Sequence, residues 1–361
     1  MSKALNFNAG PAALPPAVLE QVQSELLDYQ GRGMSIMEMS HRSKEYEAVN
    51  NHAEATFKSL LGLGDGYRVL FMQGGASGQF STVPMNFLPK GGSADYVVTG
   101  TWGEKAVEEV ALFGTGKVIA STKEGGYKRV PKPSEVQVSP DAAYVHVTSN
   151  ETIQGVQFRD FPEVGETPLI ADMSSDILSR PFDAGKFSLI YAGAQKNLGP
   201  AGVTVVLIRE SMLEKASKGV PTMLRYATHA KNNSLYNTPP TFGVYMLDLV
   251  LRWIDSIGGL GAMAERNRKK AEILYGQIDG SAGFYRGHAD ADSRSEMNVT
   301  FRLPSEALEK QFVAEAQAAG MVGLAGHRSV GGIRASTYNA IGVETCQALA
   351  SFMADFARKN A

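Results

Sequence analysis

Short apolar runs separated by longer, helix-like stretches recur between about residues 67 and 208, at 69–72, 96–99, 118–120, 144–148, 169–172, 189–192 and 204–208. Their alternation predicts a mainly parallel, seven-stranded sheet covered by helices. Upstream, Tyr46, Val49, Ala53, Phe57 and Leu60 recur at three- and four-residue steps, which predicts a helix whose apolar stripe packs on that sheet. Downstream, 245–253 and 262–278 read as helices leading away from it. After about Asp279 the pattern becomes strand, helix, strand, strand, helix at 296–302, 306–319, 321–324, 332–335 and 344–358, a compact α+β unit. The expected organisation is α/β, with an N-terminal segment 1–15, a large domain 16–260 and a smaller C-terminal domain 261–361.

Composition narrows the function classes. A chain of 361 residues, 43% hydrophobic, can bury the core of two domains. Its 35 basic residues nearly balance 37 acidic ones, so no long-range field favours nucleic acid or an anionic membrane, and anion recognition has to be local. The single cysteine, Cys346, excludes an internal disulfide and a cysteine-built metal site, and fits a reducing cytoplasm. No run approaches the ~20 apolar residues that span a bilayer, and the opening Met1-Ser2-Lys3-Ala4-Leu5-Asn6-Phe7-Asn8 has no apolar region suggesting export.

Ligands of open α/β sheets collect beyond the carboxyl ends of the strands, so the residues following each apolar run are the informative ones. Gln73-Gly74-Gly75-Ala76-Ser77-Gly78-Gln79 is a glycine-rich turn before a helix expected to open at Gln79, suited to a phosphate but lacking Walker A or dinucleotide spacing. Gly100-Thr101-Trp102-Gly103 offers an indole for stacking on a flat ring, or a core anchor. Ser149 to Gly155 is a polar cluster in which Thr152 offers a hydroxyl, or ordinary turn chemistry. Asp172 ends an apolar run and needs a partner, which a structural cation, an amide or a pyridinium N–H would each provide. Lys196 lies between an apolar segment and a glycine-rich turn, where desolvation would lower its pKa toward nucleophilic reactivity. An acid at one strand end and a lysine after a later one suit pyridoxal 5'-phosphate, the acid holding the ring nitrogen protonated and the lysine binding C4'. Two cationic pairs, His41-Arg42 and His327-Arg328, suit a substrate with two acidic ends. No set of His, Asp and Glu has ligand spacing, so no metal is expected.

Six separated motifs carry a family resemblance: Asn6-Phe7-Asn8-Ala9-Gly10-Pro11-Ala12, Met39-Ser40-His41-Arg42-Ser43, Gln73-Gly74-Gly75-Ala76-Ser77, Gly100-Thr101-Trp102, the run from Ala194 to Gly202, and the run from Gly326 to Ser336. In this order, from residue 6 to about 345, they resemble the phosphoserine aminotransferase family of class V aminotransferases. The resemblance implies the fold type I of pyridoxal-phosphate-dependent transferases and a homodimer with active sites at the subunit interface. It implies that Lys196 is the Schiff-base lysine, Asp172 pairs with the pyridine nitrogen, Trp102 stacks on the ring and Thr152 contacts the phenolic oxygen. It places the cofactor phosphate at Ala76, Ser77 and Gln195, with Asn237 and Thr238 reaching in from the neighbouring subunit. Arg334 is implied as the clamp for the substrate α-carboxylate, and His41, Arg42, His327 and Arg328 as the phosphate-end group, the first two from the partner chain. One departure stands at Ser77, where some members carry an arginine.

The implied reaction moves the amino group of glutamate to 3-phosphohydroxypyruvate, with the longer phosphorylated ketoacid of vitamin B6 synthesis as a second substrate. An alanine-glyoxylate type aminotransferase, a cysteine desulfurase and a non-catalytic module binding phosphorylated ligands are the competing readings. The desulfurase needs a cysteine in a mobile loop, whereas Cys346 falls in a helix-like run beside Ala348 and Leu349.

Overall fold

The computed structural model describes residues 4–361, so the part of the export reading that rests on Met1, Ser2 and Lys3 lies outside the described residues. All seven apolar runs become strands of one sheet: β1 (Tyr67–Met72), β2 (Ser93–Val98), β3 (Thr115–Ser121), β4 (Ala142–Thr148), β5 (Leu169–Asp172), β6 (Leu189–Gly193) and β7 (Thr204–Arg209). Their spatial order is β1-β7-β6-β5-β4-β2-β3, and only β7 runs antiparallel to its neighbours. The carboxyl ends of the other six strands, and the amino end of β7, therefore share one edge of the sheet.

Side chains alternate across that sheet, which gives two apolar layers. Val69 and Phe71 of β1 face one and Leu70 and Met72 the other. The helices α1 (Lys44–Leu60), α2 (Gly75–Phe87), α3 (Thr101–Val110) and α4 (Thr241–Ser256) cover it: α1 packs on α4 over the first layer, and α2 on α3 over the second. The expected apolar stripe of α1 is present, with Tyr46, Val49, Ala53 and Phe57 buried, and Ser43 caps its first turn by accepting from the Tyr46 N–H at 3.3 Å.

Helix α5 (Gly259–Asp279) joins two cores. Leu260 and Met263 belong to the sheet's first layer, whereas Ala271, Leu274 and Ile278 pack in a second cluster with Phe301, Phe312 and Phe356. That cluster lies between β8 (Asn298–Arg302), β9 (Ile333–Ser336), α6 (Glu306–Ala318) and α7 (Val343–Asn360). Cys346 is fully buried there. The third strand of the small sheet is Arg286–Gly287, not the 321–324 run expected from the sequence. Met321–Val322 pairs instead, in parallel, with Leu5–Asn6. The start of the chain is thereby tied to the second cluster, where Phe7 is fully buried.

Lys270, fully buried in α5, donates to the carbonyls of Thr337 and Tyr338 at 2.8 and 2.9 Å, and burial pushes its amine down to about 7. The Tyr338 hydroxyl in turn donates to the Ala9 carbonyl at 2.8 Å. This chain of bonds links α5, the turn after β9 and the N-terminal segment, and it ends at the wall of the cavity described next.

Candidate active site

The strand ends converge on a cavity of about 410 Å³. Ala76 and Ser77 from the turn after β1, Trp102 after β2 and Thr152 after β4 line it, with Asp172 at the end of β5. Gln195 and Lys196 after β6 complete its floor, and His327 and Arg334 reach it from the segment before β9 and from β9 itself. His41, Arg42, Asn237, Thr238 and Arg328 do not line it. Arg328 is exposed and borders a separate surface hollow beside Glu306 and Lys310. His41 Nδ1 and Thr238 Oγ1 stand 3.3 Å apart, so these two partner-directed candidates occupy one patch of the chain.

Burial shifts the lysine toward its neutral form. Lys196 Nζ donates to Thr152 Oγ1 at 2.7 Å and lies 5.7 Å from the centre of the Trp102 ring. Desolvation lowers its pKa to about 8, against the opposing pull of the Asp172 and Glu151 carboxylates. Modification of Lys196 in cofactor-free protein by an amine-directed reagent, followed by mass spectrometry across a pH series, should therefore show a midpoint near 8. An ordinary lysine midpoint near 10.4 would contradict it.

Asp172 is buried, and burial raises its pKa, opposed by hydrogen bonds from Ser174 and by the charge of Lys196. Both Ser174 bonds, from N–H at 2.9 Å and Oγ at 2.6 Å, go to Oδ1, which leaves Oδ2 for a ligand. A pyridinium N–H is a donor of the kind that oxygen needs.

The turn at Gly74 also fits the cofactor. The helix α2 begins at Gly75, four residues earlier than expected, because Gly74 adopts φ +97° and lets the chain turn directly from β1 into the helix. Ala76 and Ser77 thus lie in the first turn, where N–H groups lack intrahelical acceptors and no side chain caps them. The Gly75 N–H is already taken by Thr204 Oγ1 at 2.7 Å, from the antiparallel strand β7. A phosphate at this N-terminus would receive the remaining donors and the positive end of the helix dipole. The residues present fit pyridoxal phosphate at each of its functional groups: phosphate, ring nitrogen, ring face, phenolic oxygen and aldehyde carbon.

The mouth of the cavity is cationic. Arg334 Nη1 donates to the Thr152 carbonyl at 3.4 Å while its buried Nε has no partner among the described residues. Burial, then the charges of Arg334, Arg328 and Lys105, hold His327 below its ordinary value. Lys105, 5.9 Å from the Trp102 ring, was not expected at the site; its only sequence signal is its place one helical step beyond Trp102. Glu151 and Gln154, which grip the start of α3, were likewise hidden within a polar turn.

Comparison with known proteins places this geometry. The family aminotransferase class-V matches residues 4–349. The phosphoserine aminotransferase of Herpetosiphon aurantiacus is 64% identical over 355 residues, covering 98% of this chain and 99% of that protein. The phosphoserine aminotransferase structure from Bacillus circulans subsp. alkalophilus superposes with a TM-score of 0.98 at 59% identity, covering 99% of each chain. The pyridoxal-phosphate-bound phosphoserine aminotransferase of Trichomonas vaginalis superposes at 0.92 with 38% identity, covering 98% of this chain and 100% of that one. This chain belongs to the class V aminotransferases, in their phosphoserine aminotransferase branch.

Proposed function

We propose that this enzyme transfers the amino group of glutamate to 3-phosphohydroxypyruvate, giving O-phosphoserine and 2-oxoglutarate. The observation that carries the reading is Lys196, a depressed-pKa amine hydrogen-bonded to Thr152 beneath the Trp102 ring and facing a cationic mouth. Pyridoxal phosphate, when bound, supplies an electron sink conjugated to the substrate Cα. Lys196 then moves a proton between the substrate Cα and C4' of the cofactor, as base and then acid. Asp172 holds the ring nitrogen protonated, and Thr152 donates to the phenolic oxygen. Ala76, Ser77 and Gln195 cradle the cofactor phosphate.

Arg334 binds the α-carboxylate that both substrate pairs share, in two-point fashion. The distal γ-carboxylate and the phosphate alternate at His41, Arg42, His327 and Arg328. A second copy would supply His41, Arg42, Asn237 and Thr238, which lie outside the cavity of their own chain, making the enzyme a homodimer with shared sites. Met37 and Tyr236, close in sequence to His41 and Asn237, are 51% and 48% accessible, and an apolar interface would cover them. The large domain ends near residue 260, within α5. No helix of the described residues is long and apolar enough to cross a membrane, and the enzyme works in the cytoplasm.

A coupled assay with glutamate tests the reading on 3-phosphohydroxypyruvate, on its longer analogue from vitamin B6 synthesis, and on hydroxypyruvate. Turnover should require the phosphate. Arg42→Ala should lower kcat/KM for phosphoserine by about 30- to 100-fold, the effect of removing one partner of a buried charge pair, and leave cofactor absorbance intact. Equal activity on phosphoserine and serine would overturn the assignment of the phosphate end.

A further inference from the structure

The short strand Asn150–Glu151 carries a carboxylate for which the reaction above has no use. Glu151 is fully buried. Its Oε2 accepts from the Trp102 N–H at 3.0 Å and its Oε1 from the Gly103 N–H at 2.8 Å. These donors belong to the first turn of α3, where no intrahelical acceptor exists and the residue at the cap, Gly100, has no side chain to offer. A carboxylate there is also favoured by the helix dipole. Gln154 closes the same turn from the side, its Nε2 donating to Thr101 Oγ1 at 2.9 Å.

Gly100 gives an independent view of the same clamp. Its φ of 172° is extended backbone that any residue adopts. A Cβ at this position would nevertheless lie 2.5 Å from both Glu151 Cδ and Gln154 Oε1. The glycine is therefore required by the close approach of these two side chains, not by backbone conformation.

We propose that Glu151 is a positioning residue: from the strand that leads directly into Thr152, it fixes the first turn of α3 and with it the plane of the Trp102 indole over the ring site. The indole has no hydrogen bond of its own to fix its plane, since its buried Nε1 has no partner among the described residues. Its backbone grip is the Glu151 carboxylate. The adjacent residues Glu151 and Thr152 thus set two faces of the site, the Thr152 hydroxyl against Lys196 at 2.7 Å and the aromatic wall 5.7 Å from the same amine.

The test uses Trp102 as its own reporter, in a Trp253→Phe background, since the chain has two tryptophans. Glu151→Gln keeps the volume but turns an amide donor toward one of the two N–H donors. Glu151→Asp keeps both acceptors on a shorter stem. The expected result for Glu151→Gln is red-shifted Trp102 emission, readier acrylamide quenching and a kcat lower by about 100-fold, the cost of a misplacement near one ångström. KM for glutamate should change little, and Glu151→Asp should recover about tenfold of the loss. Gly100→Ala, which pushes the carboxylate from the opposite side, should give the same pair of changes and decides the matter if Glu151→Gln does not fold. Unchanged emission and quenching in a folded variant, or a Glu151→Asp enzyme no better than Glu151→Gln, would overturn the proposal. The stacking of Trp102 on a ring rests on the function proposed above; its emission in cofactor-free protein does not, so the two ideas fail separately.

Discussion

Lys196→Ala is expected to leave a folded protein that no longer holds pyridoxal phosphate covalently and whose turnover falls by about 10⁴-fold. In the proposed function the amine has two tasks in the same place, attachment of the cofactor and proton transfer between Cα and C4', and alanine removes both. No neighbour can substitute. Thr152, the nearest polar group at 2.7 Å, keeps its proton at neutral pH, and Lys105, 5.9 Å from the Trp102 ring, does not line the cavity. The protein itself should not suffer, because a buried amine with a pKa depressed to about 8 is a group whose ionised form costs free energy in the folded state. Borohydride treatment followed by peptide mass mapping checks the attachment, and absorbance of the purified holoenzyme checks it independently. An unchanged spectrum in the variant would remove the basis for every role assigned to the site.

The sequence shows much of this arrangement because strand ends in an open α/β sheet are where chain order and chemistry coincide. Asp172 and Lys196 follow their apolar runs directly, and the fold brings them to one edge by the parallel pairing of β5 with β6. Other parts were hidden for identifiable reasons. The start of β2 is Ser93-Ala94-Asp95, which reads as a polar turn, yet Asp95 is fully buried and accepts from the Ser139 N–H at 2.6 Å. The start of α2 was hidden by glycines whose weak helix propensity masks a first turn made possible by the positive φ of Gly74. Arg286–Gly287 has two exposed residues and no apolar alternation, so its strand exists only by pairing with β8. Glu151 had no local signal at all, since its partners are backbone N–H groups 49 and 48 positions earlier in the chain. Contacts of this sort depend on tertiary placement, and side-chain periodicity does not encode them.

Asp172→Asn should separate binding from chemistry. The variant should still bind the cofactor at Lys196, while kcat falls by about 10³-fold, the scale on which a preorganised charge acts in a water-excluded site. The side chains are nearly isosteric, so Ser174 can continue to donate to the retained oxygen at Oδ1. What changes is the group at Oδ2: an amide carries no negative charge and turns a donor toward a position where the ring nitrogen also presents an N–H. A ring nitrogen that loses its proton withdraws electrons poorly from Cα, so proton removal by Lys196 becomes slower even though the amine is still in place. A second consequence is visible without cofactor. Asp172 is the largest of the carboxylate influences that raise the pKa of Lys196, and its loss should move the midpoint of amine modification below the wild-type value of about 8. Mass spectrometry of the modified lysine across a pH series measures that shift. A midpoint that stays in place, or a kcat within a few-fold of wild type at full cofactor occupancy, would mean that the carboxylate at the end of β5 does not act on the ring or on the amine.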